Sequence, residues 1–250
     1  MNTLSIVILA AGLGSRMKSE LPKPLHKIGG KPMLSHVLES ARKLNPDRLI
    51  VVYGHRGEVL KEAYQNEEDI TWVEQKSFEG TGDAMRYALP STLSDSKILV
   101  LYGDTPLINH ETLAKLTELV TPKTPLAWLT SVVDDPTGYG RIIRDHNNEM
   151  VAIIEEKDAN ENERAICEMN TGIFVTTEPF LQSALPQLNN DNQQEEYYLT
   201  DIAKIAVEEE LPILTLQENP QLILGVNDRV QLAELEAVYQ QKRAEELMRN

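Results

Sequence analysis

The stretch from Ser5 to Met17, "SIVILAAGLGSRM", decides the fold. An apolar run rich in β-branched residues stops at two alanines and two glycines, and an arginine follows. A strand without polar alternation is covered on both faces, as in a parallel sheet between helix layers. Gly12 and Gly14 at its end let the backbone turn tightly and bare its amide N–H groups. Successive amides form a nest for phosphate oxygens, and a helix starting there adds its dipole. Arg16, and Lys23 a little further on, are placed to neutralise such a ligand. By themselves, two glycines read equally well as a plain tight turn. The loop is not a Walker A motif, because no Gly-Lys-Ser/Thr follows. It is not the dinucleotide fingerprint either, because Met17 stands where the third glycine would be.

Outward from this loop, strand-like runs recur at 48–54, 70–75, 97–104 and 126–133. Helical spacing lies between the early ones. In "PMLSHVLESARKL", Met33, Leu34, Val37, Leu38, Ala41 and Leu44 fall on one face. "RGEVLKEAYQ" (56–65) and "GTGDAMRYALP" (80–90) read the same way. Strand alternating with helix predicts crossover units and a mixed, mostly parallel Rossmann-like α/β sheet flanked by helices. The second half is less regular. It holds a hairpin turning at Asn147-Asn148, a strand at 171–177, a helix opened by a Thr200-Asp201 cap, a strand at 211–217, and a protruding C-terminal helix over 228–250 opened by Asp228. The sequence divides into a main body, 1–227, and a helical arm, 228–250. Within the body, a regular first part runs to about residue 110 and a less regular second part covers 111–227.

Composition narrows the function classes. Of 250 residues, 41% are hydrophobic and 25% charged, which suits a soluble globular protein. The single cysteine, Cys167, excludes an internal disulfide and a cysteine metal cage, and fits a reducing compartment. No apolar run approaches the roughly 20 residues of a membrane span, and "LSIVILAAG" lacks the basic flank of a signal peptide. A cytoplasmic location is expected. The net charge of −15 argues against nucleic acid as a partner. Arg16, Lys18, Lys23, Lys27 and Lys31 nevertheless stand against Glu20 alone, a basic island that reads as a small-anion site or as a solvated lysine-rich loop. The five histidines show no metal-ligand spacing and read as structural or surface residues.

"LAAGLGSRM" followed by "LPKPLHKIGGKPMLSHVLE" resembles the signature of the sugar-phosphate nucleotidylyltransferases. "VYGH", "EQKSFEGTGDAM", "LYGDTPLI", "DDPTGYGRI", "IIEEKDA", "EMNTGIF", "EEYYLTDI" and "GVNDR" come after it in order. The whole set looks like the uridylyltransferase domains of bifunctional bacterial N-acetylglucosamine-1-phosphate uridylyltransferases, over nearly the whole chain. One departure is Pro24, where an aliphatic residue is common. The resemblance implies catalytic Arg16 and Lys23. It implies nucleotide contacts at Leu9, Ala10, Ala11, Gly12, Gly14, Gln75, Gly80 and Thr81, and sugar contacts at Tyr102, Gly103, Gly140, Glu155, Asn170, Tyr197 and Thr200. It also implies Mg²⁺ on Asp104 and Asn227.

Read from the residues alone, these positions stay open. Asp104 is a hard oxygen ligand or a turn opener before Thr105-Pro106. Asn227 and Thr81 each read as caps, Glu155 as a strand-end acid, Asn170 as a turn residue, and Tyr197 as packing. Spacing does not bring 104 and 227 together.

The implied reaction transfers UMP from UTP to N-acetylglucosamine 1-phosphate, giving UDP-N-acetylglucosamine and pyrophosphate for cell-wall precursor synthesis. The resembling proteins continue into a β-helix that transfers acetyl groups and builds a trimer. This chain is therefore expected to lack acetyl transfer and to be a monomer by itself. The alternatives are transfer to another sugar 1-phosphate, such as glucose 1-phosphate, a non-catalytic nucleotide-binding module, and, more remotely, a Rossmann-type oxidoreductase.

Overall fold

A computed structural model describes residues 3–12 and 14–249; Met1, Asn2, Leu13 and Asn250 lie outside the described residues. The chain opens with β1 (Leu4–Leu9). After the glycine loop come two single 3₁₀ turns and a small antiparallel ribbon, β2 (Lys27–Ile28) with β3 (Lys31–Pro32). Helix α1 (Met33–Arg42) leads to β4 (Arg48–Tyr53), α2 (Gly57–Ala63), β5 (Ile70–Glu74), α3 (Thr81–Ala88), β6 (Lys97–Tyr102) and α4 (His110–Leu119). The second half adds β7 (Leu126–Val132), the hairpin of β8 (Arg141–Arg144) and β9 (Met150–Ile154), α5 (Glu161–Arg164) and β10 (Glu168–Thr177). It ends with α6 (Glu178–Ala184), α7 (Ile202–Glu208), β11 (Ile213–Gln217), α8 (Pro220–Ile223) and α9 (Arg229–Arg249).

The sheet runs β11-β7-β10-β6-β1-β4-β5, with the β8–β9 hairpin extending from β10. Pairs β1–β4, β1–β6, β4–β5 and β7–β11 are parallel, and β10 runs antiparallel between β6 and β7. This is the mixed, mostly parallel architecture expected. Alternate residues of the central strands feed opposite layers. Val7, Ile50 and Val100 pack under α3, α6 and α7, while Ile6, Ile8, Val51 and Leu99 pack under α1, α2 and α4. Burial on both faces removes the polar alternation from the sequence. Strand β5, at the sheet's edge, is only partly buried. Chain order places β1 between β4 and β6, so the switch point of the sheet falls at the carboxyl end of β1.

Three local expectations need correction. No α-helix comes directly after the glycine loop. Gly14 (φ 60°) and Lys18 (φ 46°) adopt left-handed backbone around one 3₁₀ turn, and prolines 22 and 24 exclude a helix beyond it. The Thr200-Asp201 pair does not cap α7 with a side chain: Asp201 is already helical (φ −68°, ψ −14°) and Thr200 bonds Glu155 instead. Thr81 does not cap α3, because Gly80 holds the N-cap position. Asp228, by contrast, accepts from the amides of Val230 and Gln231 as a cap.

The first turns of α9 are seated against the N-terminal region. Leu235 is buried with Met17, Ile28, Met33 and Val226. The Gly29 amide donates to Glu236 (2.7 Å), Arg229 donates to the Met17 and Lys18 carbonyls, and Tyr239 meets His36 edge-on at 5.3 Å. Beyond Lys242 the helix surface is largely exposed. A Cβ on Gly29 (φ 58°) would stand 2.1 Å from the Tyr239 ring. Gly29→Ala is therefore expected to lower the unfolding free energy by about 1–3 kcal/mol, through backbone strain and displacement of Tyr239. Urea titration measures this, and an unchanged midpoint would unseat the helix from that position.

Candidate active site

The carboxyl ends of β1 and β6 are level, with Leu9 registered against Tyr102. Each strand therefore delivers its trailing segment to one edge: the glycine loop from β1, and Gly103-Asp104 from β6. Gly14 is required there twice over. Its backbone is left-handed, and a Cβ would stand 3.0 Å from that of Lys23. Gly12 shows neither constraint. The amides of Gly12 and Gly14 have no partner among the described residues. Pro24 sits buried in the second 3₁₀ turn and leaves Lys23 facing the site.

A cleft of about 490 Å³ opens at this edge. Leu9, Ala10, Ala11, Gly12, Gly14, Arg16, Lys23, Gln75, Gly80, Thr81, Tyr102, Gly103, Asp104 and Asn227 all line it. Sequence reasoning missed the rim residues Phe78, Gln194 and Glu196. Phe78 is a half-exposed aromatic at 47%. An exposed phenylalanine between two glycine-bearing loops was the available signal.

The cleft's charged centre joins residues more than 200 positions apart. Asn227 Oδ1 accepts from Arg16 Nη2 at 3.0 Å and from Lys23 Nζ at 3.1 Å. Lys23 also pairs with Asp104. The Val226 amide donates to the Asp104 carbonyl at 2.9 Å, fastening the lead-in of α9 to the end of β6. Residues 104 and 227 thus meet. The Lys23 ammonium stands between a carboxylate and an amide oxygen. Two hard oxygen donors beside an open cleft fit Mg²⁺, which keeps waters and substrate phosphates as its other ligands.

The other expected sugar contacts do not line this cleft; all but Tyr197 gather beyond Tyr102. A Cβ on Gly140 would be 3.3 Å from Glu155 Oε2 and 3.4 Å from Asn170 Cβ, so these three are neighbours. Thr200 Oγ1 donates to Glu155 Oε1 at 3.0 Å. Asn170 lies where β10 shifts register against β7, and its Oδ1 accepts from Trp128 Nε1 (2.7 Å) and the Gly172 amide (2.8 Å). Its Nδ2 is left as a donor. Tyr197 is separated from this group: its ring carries the Arg86 guanidinium at 4.1 Å, and its backbone pairs with Glu79 and Gly82. Tyr102 links the two regions, and Gly172 (φ 77°) passes so close that a Cβ would stand 2.5 Å from its ring. Burial, with Glu155 and Asp104 nearby, pushes the Tyr102 phenol well up, so it serves as a neutral donor.

An open α/β sheet with paired cations and oxygen donors in a cleft at its switch point has the architecture of an α/β protein that binds its ligand at the carboxyl edge of the sheet. Residues 6–249 match the family of MobA-like NTP transferase domains. The chain belongs to that family. It is 49% identical over 246 residues to a protein of Idiomarina loihiensis named "Bifunctional protein GlmU" and 49% over 249 residues to one of the same name from Alcanivorax borkumensis. These matches cover 98% and 99% of this chain but 54% of each relative, so the chain spans about half their length. Among solved structures, a UDP-glucose pyrophosphorylase bound to UDP-glucose shares the fold at TM-score 0.77 and 19% identity, covering 97% of this chain and 100% of that one. The inositol-1-phosphate CTP transferase of T. maritima does so at TM-score 0.72 and 18% identity, covering 95% and 96%.

Burial pushes the Glu155 carboxyl up from its ordinary 4.5, against the lowering effect of the Thr200 hydrogen bond. Folding therefore raises its hold on a proton. Its contribution to stability is present below the ordinary value and is lost as pH rises through the raised one. Glu155→Gln keeps the acceptor for Thr200 and removes the charge. Relative to wild type, the variant is expected to gain stability between pH 4 and pH 8, and parallel urea titrations at those two values check it.

Proposed function

We propose that this chain is an N-acetylglucosamine-1-phosphate uridylyltransferase, transferring UMP from UTP to the sugar phosphate and releasing pyrophosphate. The convergence of Arg16, Lys23, Asp104 and Asn227 on one point of the cleft carries this reading. Near-50% identity to relatives named for a bifunctional protein supports it.

In the proposed reaction a phosphate oxygen of the sugar 1-phosphate forms a bond to the α-phosphorus of UTP. The bond from that phosphorus to the bridging oxygen breaks, and pyrophosphate leaves with its electron pair. The nucleophile is already an anion, so no general base is required. The chain's task is to align two anions and offset their repulsion. The glycine-loop amides would receive phosphate oxygens. Lys23, drawn towards the phosphates, would release Asp104, and Arg16 would turn from Asn227 to the transferring group. Asp104 and Asn227 would then hold Mg²⁺, which supplies charge neutralisation across the nucleotide and sugar phosphates.

Gly140, Glu155, Asn170 and Thr200 would bind the sugar, with the Asn170 amide N–H free for its hydroxyls or N-acetyl carbonyl. We assign Tyr197 a supporting role at the rim. We read residues 1–110 as the nucleotide half, 111–227 as the sugar half and 228–250 as an arm. We assign this activity to the cytoplasm, in keeping with the lone Cys167 and with the lack, among the described residues, of a helix long and apolar enough to cross a membrane.

Pyrophosphate release with UTP, Mg²⁺ and N-acetylglucosamine 1-phosphate tests the assignment. Faster turnover of glucose 1-phosphate in the same assay would reassign the acceptor. Arg16→Ala is expected to lower turnover by roughly 10²–10³-fold, the scale of one electrostatic stabiliser, with the thermal midpoint kept. Asp104→Asn is expected to shift the magnesium titration to higher concentration, and an unmoved titration would remove Asp104 from metal binding.

A further inference from the structure

Gln75 and Gly80 line the nucleotide cleft, and behind them stands Asp83, a buried acid in the first turn of α3. Gln75 Nε2 donates to Asp83 Oδ2 at 2.7 Å and to the Gly80 carbonyl at 3.2 Å. Ser77 Oγ donates to the same Asp83 oxygen at 3.1 Å and meets the Tyr87 hydroxyl at 3.2 Å. Gln75 is only 4% exposed, and its backbone amide is held by the Tyr53 carbonyl at 2.8 Å.

A glutamine amide presents a donor at one end and an acceptor at the other, and either end can face a ligand. Here the choice is forced. A carboxylate and a carbonyl both accept, so the NH₂ end must face them. The Oε1 end then has no partner among the described residues, on a side chain that lines the cleft. The Gly80 amide N–H is likewise without a partner among the described residues. An acceptor and a donor set side by side complement the N3–H and neighbouring carbonyl of uracil. Cytosine presents the opposite pattern, an unprotonated N3 beside an amino group, and would leave both protein groups opposed.

We propose that Asp83 is a positioning residue that fixes the sense of the Gln75 amide, and thereby makes the cleft select uridine over cytidine nucleotides. The proposal rests on the uridine reading above and adds the residue that enforces it. Asp83 touches neither substrate nor reacting atoms; it acts through Gln75. Groups paired in only one sense reject the wrong partner strongly, because mispairing leaves buried polar atoms unsatisfied.

Calorimetric titration of the full chain with UTP and with CTP, each with Mg²⁺, tests this. Wild type is expected to prefer UTP. In Asp83→Ala that preference should fall roughly tenfold or more, chiefly through weaker UTP binding. Asp83→Asn should restore most of it, because its amide oxygen still accepts from Gln75 and Ser77. A purely structural role at the start of α3 would weaken both nucleotides together, so an unchanged UTP:CTP ratio in Asp83→Ala overturns the proposal. If that variant does not fold, Ser77→Ala decides. It frees one side of Asp83 and should lower the ratio a few-fold, about the effect of one hydrogen bond, and an unmoved ratio again overturns the proposal. Wild type that binds neither nucleotide would refute the uridine reading itself, and the role of Asp83 with it.

Discussion

One ammonium group holds the cleft's centre together. Lys23 stands between Asp104 and Asn227, and Arg16 reaches the same amide oxygen from the other side. These four residues come from the first loop, the end of β6 and the lead-in of α9, so the contact joins the two ends of the chain at the sheet's switch point. A cleft that gathers Arg16 and Lys23 concentrates positive charge, and without a counter-charge those cations would repel one another. Asp104 and Asn227 supply the balancing oxygens. The same oxygens are hard donors for a divalent ion. The resting contact and the proposed working site thus use one set of atoms in two partnerships.

That arrangement depends on backbone placement more than on side-chain reach. Leu9 and Tyr102 end their strands in register, so Gly14 and Asp104 arrive at one level. Gly14 then lets the Lys23 side chain pack against it, since a Cβ on Gly14 would stand 3.0 Å from that of Lys23. At the far end, the Val226–Asp104 hydrogen bond sets the position of Asn227, and the burial of Leu235 with Met17 keeps α9 from drifting. Stability of the helix and geometry of the centre are coupled through these contacts.

The sequence was most legible where one physical demand shaped a short segment. The unbroken apolar run of β1 announced burial on both faces, and the glycines after it announced a turn at a ligand-bearing edge. The hairpin at 147–148 was legible because asparagine tolerates left-handed backbone, which Asn148 adopts (φ 64°). Legibility failed where the demand was tertiary. Nothing in "EMNTGIFVTT" tells that β10 runs antiparallel between β6 and β7, or that Asn170 would be spent stitching a register shift to Trp128. Thr200 and Thr81 looked like caps because their preference for that role is local. The structure uses their hydroxyls for Glu155 and the Leu199 amide instead. Helix α4 was missed although Asn109 caps it through the Thr112 amide, a signal that "NHET" carried.

On the proposed reading, the cleft and the group of residues beyond Tyr102 face different recognition problems, and their chemistry differs accordingly. Around the glycine loop the groups are amides and permanent cations, which suit triphosphate oxygens of any nucleotide. Discrimination must come from groups whose polarity has a direction. Gln75 has one only because Asp83 and Gly80 both demand its N–H groups. Asn170 has one because Trp128 and Gly172 both occupy its oxygen. In each case an ambiguous side chain is made single-valued by two neighbours of like character, one turning an acceptor to the cleft and the other a donor towards its own neighbourhood. On the proposed reading, charge gathers the reactants and forced amide orientation selects among them.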